Sequence, residues 1–194
     1  PYMEMKNVSI CSISGYRASA YCELQDTLLT TPLSMETPSC PYHRRIHLSN
    51  DGKRRVHSDC LTLNKMKHVN WFILPPVQEY YYKTKNLSYK ALPPYQADCQ
   101  AVYSHQAMDL IYPKSNARLF VPRDLSGKLG ESIFELAHSN PGMVVYWHLD
   151  GEFIGSTKQV HHMGIHPRPG KHTLTIIDES GETLHRAFEV ISGL

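Results

Sequence analysis

Five cysteines, Cys11, Cys22, Cys40, Cys60 and Cys99, all precede residue 100 of this 194-residue chain. Thiols in such numbers serve as disulfides in an oxidising compartment or as metal ligands in a reducing one. Cys40-Pro41-Tyr42-His43 and His57-Ser58-Asp59-Cys60 form mirrored Cys-x-x-His and His-x-x-Cys elements around Asn50-Asp51-Gly52. Four N and S donors of this kind, Cys40, His43, His57 and Cys60, can hold a tetrahedral zinc, although neither half has Cys-x-x-Cys spacing. Disulfides compete for the same thiols. Gly15 lies between Cys11 and Cys22, and a tight turn there brings that pair together. Asn-Asp-Gly is a hairpin signal, because Gly takes φ > 0 at no steric cost. Folding at that turn sets Leu48 against Lys53 and, with a single bulge, Cys40 against Cys60. Cys11–Cys22 and Cys40–Cys60 are therefore the expected bridges, with Cys99 left over or exchanged for Cys22. On this reading the chain carries neither metal nor cofactor.

Other chemistry finds less support. Serine acyl transfer of the Ser-x-x-Lys type also needs Ser-x-Asn and Lys-Thr-Gly. Here no serine has Lys at the third following place or Asn at the second, and Lys83-Thr84-Lys85 lacks the glycine. No catalytic residue is expected, and the chain is read as a non-enzyme. His161 and His162 point to opposite faces of a strand and read as surface histidines. Tyr80, Tyr81 and Tyr82, with Trp147, are the aromatic candidates for a binding surface, either stacking on sugars or lining a protein interface. Arg44-Arg45 and Lys53-Arg54-Arg55 make a modest basic patch near one turn, suited to a solvated tip or to anionic wall polymer or lipid headgroups.

The elements that must position these residues follow from composition and pattern. Hydrophobic residues make up 41% and charged residues 20%, enough for a real core. A net charge of +2 argues against a dedicated nucleic-acid binder. No apolar run reaches the roughly 18 residues of a membrane span. The chain opens Pro1-Tyr2-Met3-Glu4 and reads as a fragment or processed product. Two Pro-Pro pairs bracket a short helix around Val77 to Tyr82, and Pro93 to Cys99 reads as an extended linker. Beyond Met108, short apolar or alternating runs are separated by turn signals such as Asn140-Pro141-Gly142, Asp150-Gly151 and Pro169-Gly170. That spacing predicts an all-β sandwich. In Thr173-Leu174-Thr175-Ile176 the leucine and isoleucine should face inward. Trp147 falls mid-strand, where a large aromatic commonly fills the space between two sheets. The expected fold is thus mainly β: a loop- and hairpin-rich, cysteine-containing region over residues 1–104, then an immunoglobulin-like sandwich over 105–194.

These residues resemble a known family. Cys11-Ser12-Ile13-Ser14-Gly15, Cys22 and Cys40-Pro41-Tyr42-His43 resemble the segment after the transpeptidase core of class A penicillin-binding proteins. Val145 to Gly155, with Trp147, Gly151 and Gly155, is similar to the core of the C-terminal domain in 1C-type members. Pro169-Gly170 through Gly181 resembles that domain's closing hairpin. The resemblance implies a parent anchored in the inner membrane and facing the periplasm, where it polymerises and crosslinks peptidoglycan. Within it this region is an accessory, protein-docking module without the catalytic motifs. The partners so implied are the parent's catalytic domains, peptidoglycan itself as the glycan-binding alternative, or a periplasmic α2-macroglobulin-like protein.

Overall fold

A computed structural model describes residues 5–99, 106–122 and 130–191. The described chain divides into two compact units. Residues 5–74 and 90–99 form the first; residues 75–89, 106–122 and 130–191 form the second. The boundary expected between 104 and 105 lies outside the described residues. Residues 75–89 nevertheless correct the single cut, since they precede it in sequence and pack with the second unit.

The first unit has two separate ribbons. Strand β1 (Lys6–Cys11) pairs antiparallel with β2 (Gln25–Thr30), setting Cys11 opposite Gln25. Strand β3 (His43–Leu48) pairs antiparallel with β4 (Lys67–Phe72), setting His43 opposite Phe72. The Asn-Asp-Gly turn forms as expected, with Gly52 at φ 75° and its amide donating to Ser49 O. The hairpin it starts is short. Val56 N–H reaches His47 O, but the Arg55 amide and carbonyl bond to Pro94 and Gln96 instead. Residues beyond 56 therefore leave β3, while β4 pairs along its other edge. Arg55 is held there by its Nε–H to Pro93 O and by its guanidinium 4.0 Å above the Tyr95 ring. The segment read as a linker is thus part of the unit's packing, and Arg55 is structural rather than part of a basic patch.

The second unit is a two-sheet sandwich with one helix. Helix α1 (Pro76–Lys85) starts at the Pro75-Pro76 pair, where proline at the first helical position gives up an N–H that has no partner anyway. It packs on β5 (Met108–Tyr112) and β7 (Ser132–His138). With β10 (His162–Ile165) these strands form an antiparallel sheet ordered β10-β7-β5. The second sheet is ordered β6-β12-β11-β8-β9, from β6 (Ala117–Phe120), β8 (Val145–Leu149), β9 (Glu152–Thr157), β11 (Gly170–Asp178) and β12 (Thr183–Ile191). Asp150 and Gly151, both at positive φ, make the β8–β9 turn. Phe134, Met108 and Leu110 from one sheet meet Trp147, Leu174 and Ile176 from the other, all fully buried. Burying each such aliphatic side chain is worth about 1.5–3 kcal/mol. A one-residue slip would put Thr173 and Thr175 inside instead, so the alternation pins the register. The expected β-sandwich is the observed fold.

Candidate metal centre

Cys11, at the end of β1, opens a tight loop. Gly15 N–H donates to Cys11 O at 2.8 Å, and Gly15 adopts φ 73°, which a residue with a Cβ adopts only with strain. The loop returns Tyr16 O to Cys11 N–H and Arg17 to a bridge with Ile10. Ala18 N–H bonds to Ser9 O, and Cys22 follows in a turn whose amide donates to Ser19 O. Arg17 also pairs in parallel with Ser39, and its carbonyl accepts the Cys40 amide at 2.8 Å. Three residues on, His43 begins β3. Four residues distant in sequence thus reach one point because a single crossing strand segment, Arg17, touches both β1 and the approach to β3.

At that point His43 Nδ1 lies 3.5 Å from Cys11 Sγ, 3.5 Å from Cys22 Sγ and 3.4 Å from Cys40 Sγ. All four donor atoms lie within 4.8 Å of one another, and all four residues are buried. The sulfurs also receive hydrogen bonds. Ser19 presents its amide and hydroxyl to Cys22 Sγ, each at 3.3 Å, and Ser14 Oγ donates to Cys40 Sγ at 3.2 Å. Burial pushes the Cys11 thiol up, but hydrogen bonds from Ser14 and its neighbours outweigh this and leave it below the ordinary value. Burial raises the Cys22 thiol and lowers the His43 imidazole, favouring the neutral ring whose free nitrogen can act as a donor atom. Phe72 packs against the His43 ring at 5.0 Å, and Tyr42 covers Phe72.

This arrangement overturns several expectations. Cys11 and Cys22 are brought together by the Gly15 turn, as expected, but are not bridged; Cys40 is also a free thiol. The disulfide is Cys60–Cys99, with Cα atoms 5.4 Å apart. Cys40–Cys60 fails because the return segment leaves β3 after Val56, and Cys60 lies beside Val56, Met66 and Cys99 in a different buried cluster. The zinc set Cys40, His43, His57 and Cys60 splits into two pairs: Cys40 and His43 stay together, while the Cys60 sulfur, bonded to Cys99, meets only the backbone of His57. His57 instead lies 3.5 Å from the Asp59 carboxylate. Cys11 and Cys22 were missed as partners of Cys40 and His43, although the Gly15 turn and the Cys-x-x-His pair are both visible in the sequence.

The aromatic candidates do not make one platform. Trp147 is fully buried between the sheets and donates Nε1–H to Thr157 Oγ1 at 2.8 Å, so it is no surface residue. Tyr80 lines a cleft of about 150 Å³ with Leu136, His138 and His161. Tyr81 is exposed, and Tyr82 packs edge-on to Tyr89. Successive helical residues point about 100° apart, which separates the three rings. His161 is buried rather than exposed, while His162 faces out.

Residues 97–188 match the model of the Penicillin-Binding Protein C-terminus Family, which supports a C-terminal region of a penicillin-binding protein. The matched span begins after the cysteine–histidine cluster. The fibronectin(III)-like modules of Clostridium thermocellum CbhA are 18% identical to this chain, covering 45% of it and 99% of the module, with a TM-score of 0.35. No curated protein matches. Among the described residues no helix is long and apolar enough to cross a membrane.

Proposed function

We propose that this chain is a non-catalytic accessory region of a class A penicillin-binding protein of the 1C type, and that it docks on protein rather than on glycan. The observation that carries the assignment is the match of residues 97–188 to a penicillin-binding protein C-terminal family, over the span that holds the whole two-sheet sandwich except the end of β12. The parent is then an inner-membrane-anchored peptidoglycan glycosyltransferase and transpeptidase facing the periplasm, and the catalytic motifs missing here belong to its other modules.

Two features favour a protein partner. Sugar binding needs an aromatic face open to solvent, and Tyr80, Tyr81, Tyr82 and Trp147 do not supply a shared one. The β1–β2 ribbon, in contrast, exposes leucines on both faces: Leu28 is 52% and Leu29 57% accessible, with Leu24 and Leu33 beyond them. A lone two-stranded ribbon is marginal in water, and exposed apolar clusters mark protein contacts. The resemblance sets the transpeptidase core just before this ribbon, so the parent's own catalytic module is the partner in reach. A periplasmic α2-macroglobulin-like protein is a further partner of the same chemical class.

The test mixes the chain with the isolated transpeptidase module and, separately, with purified sacculi. Docking predicts saturable binding to the module, lost in a Leu28→Asp, Leu29→Asp double variant. Retention on sacculi that disappears in a Tyr80→Ala, Tyr81→Ala, Tyr82→Ala variant would replace docking by glycan binding.

A further inference from the structure

We propose that Cys11, Cys22, Cys40 and His43 form a structural zinc site. The geometry is the first argument. Zinc binds thiolate sulfur at about 2.3 Å and imidazole nitrogen at about 2.0–2.1 Å, and a tetrahedron with those arms separates N from each S by about 3.6 Å. The three observed separations are 3.5, 3.5 and 3.4 Å, so the nitrogen stands nearly equidistant from three sulfurs. A neutral hydrogen-bonded cluster has no reason to adopt that symmetry, because one ring nitrogen makes one good hydrogen bond, not three.

The donor chemistry is the second. Three thiolates and an imidazole in tetrahedral array select zinc over the oxygen-seeking divalent ions. All four positions come from the protein, which leaves none for water or substrate and marks the site as structural rather than catalytic. Binding replaces the three thiol protons with one Zn²⁺, giving a centre of net charge −1. The Ser19 amide and hydroxyl and the Ser14 hydroxyl point at two of the sulfurs, as outer-shell donors do in such centres.

The third is what the first unit lacks. Its buried residues fall into small clusters, one of them consisting of Cys11, Cys22 and Cys40 themselves with Ala18 and Tyr42 against them. Small units with so little core depend on covalent or metal cross-links. The disulfide ties residues 60 and 99 but reaches neither β1 nor the start of β3. A zinc ion ties both, together with the two loops between them. It also explains three unpaired cysteines beside a formed disulfide: metal-bound thiolates are withheld from oxidation, and an odd number of thiols cannot all pair.

The test uses the full chain, exported to an oxidising compartment and purified without chelator or added reductant. Metal analysis should find equimolar zinc, and a peptide map should find Cys60 joined to Cys99 with Cys11, Cys22 and Cys40 unmodified. Cobalt exchanged into the site should show thiolate charge-transfer absorption and the intense visible bands of tetrahedral coordination. Neither readout requires a variant to fold. Cys40→Ser should lose the metal, while His57→Ala should keep it, which separates this set from one that includes His57. Zinc-free protein, iron or copper in place of zinc, or a Cys11–Cys22, Cys11–Cys40 or Cys22–Cys40 peptide as the main species would each overturn the assignment.

Discussion

His138 donates its Nε2–H to Asp178 Oδ2 at 3.3 Å, joining the end of β7 to the end of β11, and each side chain is only 2% exposed. His138 Nδ1 accepts the Asn140 amide, so Nε2 is the nitrogen that carries the hydrogen. This contact fastens one sheet of the sandwich to the other. Burial pushes the Asp178 carboxyl up, but hydrogen bonds from Ser180, the Glu182 amide and His138 prevail and hold it below its ordinary value of 3.8. The folded chain therefore binds this proton more weakly than the unfolded chain. The resulting stability is present above about pH 4 and is lost as pH falls through the lower folded value. Asp178→Ala should cost about 3 kcal/mol at neutral pH. Thermal unfolding against pH should show a shallower acid limb for the variant than for the parent chain. An unchanged acid limb would remove Asp178 from this role.

Glu79 on α1 presents the opposite case. Its side chain is buried, Oε1 has no hydrogen-bond partner, and burial raises the carboxyl despite Ser139, Lys83 and His138. A raised folded value means that the charged form is a burden at neutral pH, relieved as pH falls through that value. Glu79→Gln should raise the melting temperature at pH 7 by a few degrees and should bring no gain at pH 4. Calorimetry at the two pH values checks this.

The Cys60–Cys99 bridge closes a sequence separation of 39 residues. In the chain-entropy model a loop of that size contributes about 4 kcal/mol. Cys99→Ser should destabilise the first unit by up to about that amount while leaving the β-sandwich transition unchanged. Two resolved denaturation transitions, of which only one shifts, are the expected result.

Labelled penicillin should leave every serine of this chain unmodified. None stands in a Ser-x-x-Lys element, and Lys83-Thr84-Lys85, the nearest approach to Lys-Thr-Gly, lies in helix α1 rather than on a strand edge. Mass spectrometry after incubation decides the matter, and a covalent adduct would refute it.

The sandwich was legible because its signals are local. The alternation of Leu174 and Ile176 with threonines, the Asp150-Gly151 turn and the Pro75-Pro76 helix start each depend on a few adjacent residues. The cysteine pairing was not, because it depends on where the return segment leaves β3. The Asn50-Asp51-Gly52 turn pointed to residues 53–60, and the turn does form. The chain then leaves β3 after Val56, because the Arg55 amide and carbonyl go to Pro94 and Gln96, partners far along the chain that turn chemistry does not encode. The ligand types Cys40 and His43 were visible as an i, i+3 pair. Their partners depend on Arg17 bridging Ile10 and Ser39, which no spacing announces.

Because residues 75–89 belong with the sandwich while 90–99 return to the first unit, the polypeptide passes between the units more than once. Leu87, just after α1, is 97% exposed and offers a protease an open bond. A nick there leaves Cys60 on one piece and Cys99 on the other. The two pieces should run as one band in a denaturing gel without reductant and as two bands with it. Limited digestion would therefore underreport cleavage unless the samples are reduced.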